Sequence, residues 1–463
     1  MNLGDAFNIG RNALLASQRG SQVASHNLTN ASTPGYTRRI MEMQSVPLQH
    51  GGGVRTGEIT RAVDPYLERR GLGARGYSGE SEAKVRALAV FDTVFADGQG
   101  SIGEAMDAFD AALTDFSVAP QSIPNRQVVL SRAQDLAKSF TRAQEALAQA
   151  RTDTNEAISN DVTEVNSKLD RIGELNKQIV AGKNERTDVA DLEDQRDELV
   201  REIATSLPVQ TLQDDSGAIA VVLAGSRDLV SIDSKVHHLV PTSATTTGRI
   251  TIQRETNGAM EDITDLFTSG SIGGAIAARD GALEDAQNAL DQLAYDVSTA
   301  YNTQHAAGVG LDGATGRNLF TAPTAVTGAA LSFGVSADVA GQPARLAAAS
   351  SAASLPGDNR NALALLNLQD QRVASGGTAT AQQAFSAMVA AAGGASQSAQ
   401  QQQDFAETSL AQIESLRESY SGVSTDEEMM NIMKYQRAYQ AALRVVETAD
   451  SMLASLLNMR AGG

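Results

Sequence analysis

From Pro124 to Pro208 the chain runs without a proline, and within that interval "AISNDVTEVNSKLDRIGELNKQIV" sets Ile158, Val162, Val165, Leu169, Ile172, Leu175 and Ile179 at steps of three and four. A strand cannot use that spacing, because its side chains change face at every residue. On a helix the same spacing makes a continuous apolar seam of coiled-coil period. It predicts a long helix whose stripe packs against another helix. A second proline-free block, the Ala- and Gln-rich run Thr380 to Tyr420, predicts another long helix, with "QQQQ" on a solvated face. At 463 residues the chain exceeds one ordinary core, so two to four domains are expected.

After Pro208 the pattern changes. "VQTLQDDSGAIAVVLAGSRDLVSIDSKVHHLVP" is rich in β-branched residues, broken by turn signals, and continues into "GRITIQRETNG". These segments predict short antiparallel strands in a small β insert. Helical pattern returns in "IGGAIAARDGALEDAQNALDQLAYDVSTAYNTQ", and Gly308 to Gly341 has no sustained period. The fold class expected is mainly α with a small β insert, an α+β multidomain chain.

Both ends carry unpartnered stripes. At the N-terminus Leu3, Phe7, Gly10, Leu14, Ser17, Ser21, Ala24 and Leu28 fall at heptad spacing, with small residues that would let another backbone approach closely. This helix should stop near Asn30, in "NASTPGY", where Thr33 is extended, Pro34 takes the second turn position and Gly35 supplies positive φ at the third. At the C-terminus Ile432, Tyr435, Tyr439, Ala442, Val446, Ala449, Leu453 and Leu456 alternate steps of three and four, behind a capping box of Ser424 and Glu427. Packing is the expected role of both tyrosines.

Burying a large seam residue contributes about 1.5 to 3 kcal/mol, whereas ordering backbone costs about 1 to 2 kcal/mol per residue. Such helices are marginal alone. A hairpin of the two ends would cover part of each stripe, and neighbouring copies would cover the rest, so both ends are expected to be labile in a monomer.

Other chemistries find little support. The formal charge of −18, from 37 Lys and Arg against 55 Asp and Glu, argues against nucleic acid or anionic membrane as partner. There is no cysteine, hence no disulfide or thiolate site. No apolar run of 18 residues exists to insert in a membrane, and "MNLGDAFNIG" lacks the features of a cleaved signal peptide. "GLGARG" (71–76) follows no strand and reads as a flexible connector rather than a dinucleotide loop. Ser81 of "SEAK" reads as a helix N-cap. His237 and His238 point to opposite faces of a strand and read as a surface pair rather than metal ligands. No cofactor, metal site or catalytic constellation is expected.

The paired terminal stretches "NLTNASTPGYTRR" and "SGVSTDEEMMNIMKYQRAYQAALRVVETADSMLASLL" resemble the signature of bacterial flagellar axial proteins. The internal stretches "AMDAFDAALTDFSVAPQSIPNRQVVLSRAQDLAKSF", "ADLEDQRDELVREIA" and "IGGAIAARDGALEDAQNALDQLAYDVSTAYNTQHAAGVGLDGATGRNLF" narrow the resemblance to the hook-associated protein 1 (FlgK) family over nearly the whole chain. It implies a non-enzymatic structural subunit at the junction of hook and filament, in the extracellular flagellum, assembled by coiled-coil packing of its terminal helices. Implied partners are further copies of itself, the hook protein, hook-associated protein 3, a flagellar export chaperone and the type III export apparatus that delivers it without a cleaved signal peptide. Implied domains are 1–60 with 422–463 as a terminal coiled-coil domain, 61–206 with 269–306 and 355–421 as a helical middle domain, 207–268 as a β insert, and 307–354 as irregular loops and minor strands. The chain is shorter than fuller members, which implies a missing or reduced outer domain. A hook subunit or hook-associated protein 3 would share the ends but lack the "LEDQRDELV" block. An envelope enzyme such as a peptidoglycan hydrolase would need acidic residues or a nucleophile paired in a cleft, and no such set stands out.

Overall fold

Helix α1 (Leu3–Thr29) leads into an antiparallel ribbon, β1 (Arg39–Ser45) and β2 (Val54–Arg61), then into α2 (Pro65–Leu88), the single turn α3 (Phe91–Val94) and α4 (Ile102–Val118). The proline-free interval is one helix of 63 residues, α5 (Ile123–Glu185), followed by α6 (Ala190–Ser206). Strands β3 (Val209–Gln213), β4 (Ile219–Leu223) and β5 (Arg227–Val230) form one antiparallel sheet. Strands β6 (Leu239–Ser243), β7 (Ile250–Thr256) and β8 (Ala259–Asp262) form another. Helices α7 (Gly270–Asp280), α8 (Ala282–Ala307), α9 (Ala329–Ser332), α10 (Arg360–Leu366), α11 (Ala381–Ser421) and α12 (Thr425–Ala461) complete the chain. This computed structural model describes residues 3–47, 53–96, 98, 100–223, 227–243, 249–256 and 258–461. The fold is mainly α with a small β insert.

Local chemistry sets the ends of α5. Ser122 caps its first turn by accepting from the Asn125 amide, Pro124 occupies a position where no amide is needed, and Arg186 ends it in the left-handed region at φ 58°. The helix then serves two hydrophobic cores in turn. Its first half, from Val129 to Leu147, packs with α4, α8, α10 and α11 around an aromatic cluster in which Phe320 stacks on Phe333 at 4.7 Å and Phe109 meets Tyr301 edge-on at 5.3 Å. The segment 307–354 contributes to this core: Leu319, Phe320, Ala330, Phe333, Val339 and Leu346 are buried in it. The fully buried Arg126 fastens it, donating to the Pro120 and Leu346 carbonyls while its guanidinium lies 5.1 Å from the Phe116 ring.

The second half of α5 carries the heptad seam, and every seam residue from Ile158 to Ile179 is buried. The stripe does not meet one long partner helix. It is covered by α6 and by the apolar faces of the small strands, including Val209, Val221, Leu229 and Ile252. A seam of this width accepts a sheet face as readily as a helix, because apolar burial is not directional.

Three local expectations change. "GLGARG" is not a connector but the interior of α2, whose N-cap is Asp64, accepting from the Tyr66 and Leu67 amides. Ser81 is likewise internal and buried, donating to the Ser78 carbonyl. Gly79 of α2 serves close approach, since a Cβ there would overlap the Thr205 carbonyl, and one on Gly274 of α7 would overlap that of Glu80. His237 is buried with Nδ1 3.2 Å from the Glu255 carbonyl, and only His238 faces outward, with Nε2 2.9 Å from Asp170.

Candidate assembly interface

Helices α1 and α12 lie antiparallel, Gly20 facing Tyr435 and Gly10 facing Val446. A Cβ on Gly20 would lie 2.5 Å from the Tyr435 ring, and one on Gly10 2.6 Å from Val446 Cγ2, so the two backbones approach as closely as missing side chains permit. The covered face of α1 comprises Gly10, Ala16, Ser17, Gly20, Val23, Ala24 and Asn27. Of the predicted stripe, Gly10, Ser17 and Ala24 lie on it. Leu14 and Leu28 are half-buried beside it, and Phe7 is 45% exposed. On α12, Ala442 and Ala449 are buried, Ile432, Tyr435 and Val446 half-buried, Tyr439 39% exposed and Leu453 48% exposed. Leu3 and Leu456 lie within the two helices, but their side chains fall outside the described residues. The hairpin therefore uses the smallest residues of both stripes and leaves much of the larger apolar surface uncovered, with Leu15, Leu443, Val445 and Met452 also exposed.

The turn that ends α1 is built as its residues dictate. The Tyr36 amide donates to the Thr33 carbonyl at 3.2 Å across Pro34 and Gly35, and Gly35 has φ +77°. Beyond it, Asn27 acts as a surrogate strand: its Oδ1 accepts from the Arg39 amide and its Nδ2 donates to the Arg39 carbonyl, both at 2.9 Å. The Tyr36 hydroxyl donates to the same Oδ1 at 2.8 Å, and burial pushes this phenol up to about 12.

The acidic block of α6 sits directly under this turn. Thr37 donates its amide to Asp194, Arg39 pairs with Asp188 and Asp191, and Arg61 reaches Glu193, Asp194 and Asp197 at 2.8 to 3.0 Å. Arg38 turns the other way, to Glu427 at 3.1 Å and the buried Glu428 at 2.8 Å in the first turn of α12, while its amide donates to the Ser421 carbonyl. Burial works against the charge on Arg61, but Asp197, Asp194 and Glu193 outweigh it and raise its pKa. Burial also raises Asp194 in spite of Arg61. Both shifts are upward, but an upward shift holds the charge on Arg61, which has three acids around it, and disfavours the charge on Asp194, whose desolvation outweighs its share of one guanidinium. None of these polar groups belonged to the predicted interface set. The clue was a donor-rich turn, "PGYTRR", with its acceptors some 150 positions away in an acidic helix.

Among the described residues no group of His, Cys, Asp and Glu could hold a metal ion, and no helix is long and apolar enough to cross a membrane. Residues 88–320 match the family described as the flagellar hook-associated protein FlgK helical domain, and residues 417–459 match the flagellar basal body rod FlgEFG protein C-terminal family. The chain is similar to flagellar hook-associated protein 1 of Salmonella typhimurium, at 25% identity over 98% of this chain and 99% of that protein. It is similar to its counterpart in Bacillus subtilis at 26% identity over 98% of each. The Salmonella alignment runs to 552 positions against 463 residues here, so that protein carries stretches with no counterpart in this chain. The solved structure of the flagellar hook junction protein FlgK from Burkholderia pseudomallei shares the fold, with a TM-score of 0.68 at 17% identity, covering 77% of this chain and 100% of that one.

Proposed function

The chain belongs to the FlgK family of flagellar hook-associated proteins, a structural component of the flagellum and not an enzyme, and from that premise we propose that it forms the junction between hook and filament. In this reading α1 and α12 of each copy pack against those of neighbouring copies as a coiled coil, with the hook protein on one side and hook-associated protein 3 on the other. The chain reaches that position by type III export without a cleaved signal peptide, with α12 held by an export chaperone beforehand.

The observation that supports this most is the unfinished hairpin. Phe7, Tyr439 and Leu453 are exposed on the two terminal helices. Exposed apolar residues in such density on adjoining helices mark an interaction surface. The interface set carried into the proposal is Leu3, Phe7, Leu14, Ala24, Leu28, Ile432, Tyr435, Tyr439, Ala442, Val446, Ala449, Leu453 and Leu456, with Thr33, Pro34 and Gly35 shaping the turn.

Removing residues 425–463 should leave a soluble, folded body that neither polymerises nor supports filament attachment. Normal filaments on cells carrying only the truncated chain would end the proposal. Immunogold labelling of purified flagella separates the junction from other axial positions: signal confined to the hook–filament boundary is expected, and uniform labelling would assign the chain elsewhere.

A further inference from the structure

Among the described residues, neither hydrophobic core takes a member from α1, the ribbon or α12. Apart from the chain itself, what fastens this terminal unit to α6 is a set of polar contacts from Thr37, Arg39 and Arg61 at the base of the ribbon. Their acceptors recur at every third position, Asp188 just before α6 and Asp191, Asp194 and Asp197 within it, with Glu193 beside them. The two ribbon guanidiniums thus share five carboxylates with Lys183, which also pairs with Glu193, and Arg196, which also pairs with Asp197, while Arg39 Nε is buried without an acceptor. The network is branched rather than paired one to one, and it is unsaturated on the Arg39 side. A close-packed apolar interface holds one arrangement because each methyl has its own socket. Charge attraction instead falls slowly with distance, and a guanidinium fork released from one carboxylate finds an equivalent one a helical turn along.

We propose that the acidic row of α6 is an ionic articulation, along which Arg39 and Arg61 exchange carboxylates so that the terminal unit takes more than one angle against the rest of the molecule while both keep their folds. This concerns the motion of a single chain and does not depend on its place in the flagellum. Arg38 adds a tether near the pivot, since it holds the end of α11 through Ser421 and the start of α12 through Glu427 and Glu428.

The absence of cysteine makes the test direct. The full-length chain carries nitroxide labels at Gln22→Cys in α1 and Lys177→Cys in α5, and a control chain carries them at Gln22→Cys and Gln436→Cys across the hairpin. Pulsed dipolar spectroscopy reads distances at low and at molar salt, which screens such pairs. The first pair should give at least two distances whose population ratio changes by twofold or more with salt, and again with Asp191→Asn and Asp197→Asn together, while the control stays narrow. A single distance indifferent to salt and to the double variant would overturn the proposal. So would a control distribution that broadens as much as the first, because the hairpin rather than the joint would then be what moves.

Discussion

Arg39 and Arg61 are directly opposed partners in the antiparallel pair of β1 and β2, and both guanidiniums find their counter-charges on or just before α6. Like charges set opposite one another destabilise a two-stranded ribbon. Here the ribbon base is tenable because α6 supplies the acids, so a local element depends on a helix far away in sequence.

Asp194 is the centre of that dependence, since it accepts from the Thr37 amide and from Arg61 and is itself buried. Asp194→Ala should lower stability by about 2 to 3 kcal/mol, by orphaning a buried amide and removing one of three partners of the half-buried Arg61 guanidinium. Chemical denaturation followed by circular dichroism measures it. Loss below about 0.5 kcal/mol, the range of ordinary surface substitutions, would refute this assignment.

Two glycines of α2 should respond with opposite sign. A Cβ on Gly73 would meet no atom within 4 Å, so Gly73→Ala should raise stability by about 0.5 to 1 kcal/mol through helix propensity. Gly79 abuts the Thr205 backbone, which cannot step aside as a side chain could, so Gly79→Ala should cost about 1 to 3 kcal/mol. Equal melting temperatures for the two variants would contradict the packing described.

His305 is fully buried and uses both ring nitrogens, Nδ1 donating to the Arg317 carbonyl at 2.7 Å and Nε2 accepting from the Ala347 amide at 3.0 Å. Burial lowers its pKa from the ordinary 6.5. The folded chain thus binds this proton less readily than the unfolded one, and its contribution to stability is complete above 6.5 and lost as pH falls below it. Melting temperature should decline as pH drops from 7.5 towards 5, and His305→Gln should start lower and decline less. A variant with an undiminished slope would exclude His305 as the source.

Asp110 works in the reverse sense. Burial, aided by Asp107 and Asp370, raises it to about 6 despite the hydrogen bond from Tyr301 at 3.3 Å. A raised carboxyl favours the folded state below its ordinary 3.8 and loses that contribution as pH climbs through 6, leaving a disfavoured charge at neutrality. Asp110→Asn should therefore stabilise the protein at pH 7 by about 1 kcal/mol, after allowance for partial exposure, with the advantage gone near pH 4. Destabilisation at pH 7 would show that the Tyr301 hydrogen bond outweighs desolvation.

What the sequence made legible was whatever depends on near neighbours. The seam from Ile158 to Ile179, the turn at Pro34 and Gly35 and one half of the box at Ser424, whose Oγ accepts from the Glu427 amide at 3.4 Å while the Glu427 carboxylate goes to Arg38, are all local in origin. The face of α1 was only half legible: Gly10, Ser17 and Ala24 were on the stripe, but the contact continues through Gly20 and Asn27 rather than Ser21 and Leu28. A heptad reading favours large side chains, while this pair of helices closes on the absence of side chains. The ribbon is not evident in the sequence because "RIMEMQS" is largely solvent-facing, "VRTGEITR" is no more than half-buried, and neither alternates strongly between apolar and polar residues. The ionic joint escaped because nothing in "TRR" states which distant acids it meets.

Helix α5 belongs to both cores at once, its first half buried among aromatic residues and its second among the small strands. At about 1.5 Å per residue it is a rod roughly 95 Å long. Two lobes pressed together could slip or twist at their contact, but lobes strung on one unbroken shaft share its torsional rigidity. A moment applied at one end is delivered to the other through covalent bonds and hydrogen bonds, and the stiffness of the body is that of a beam.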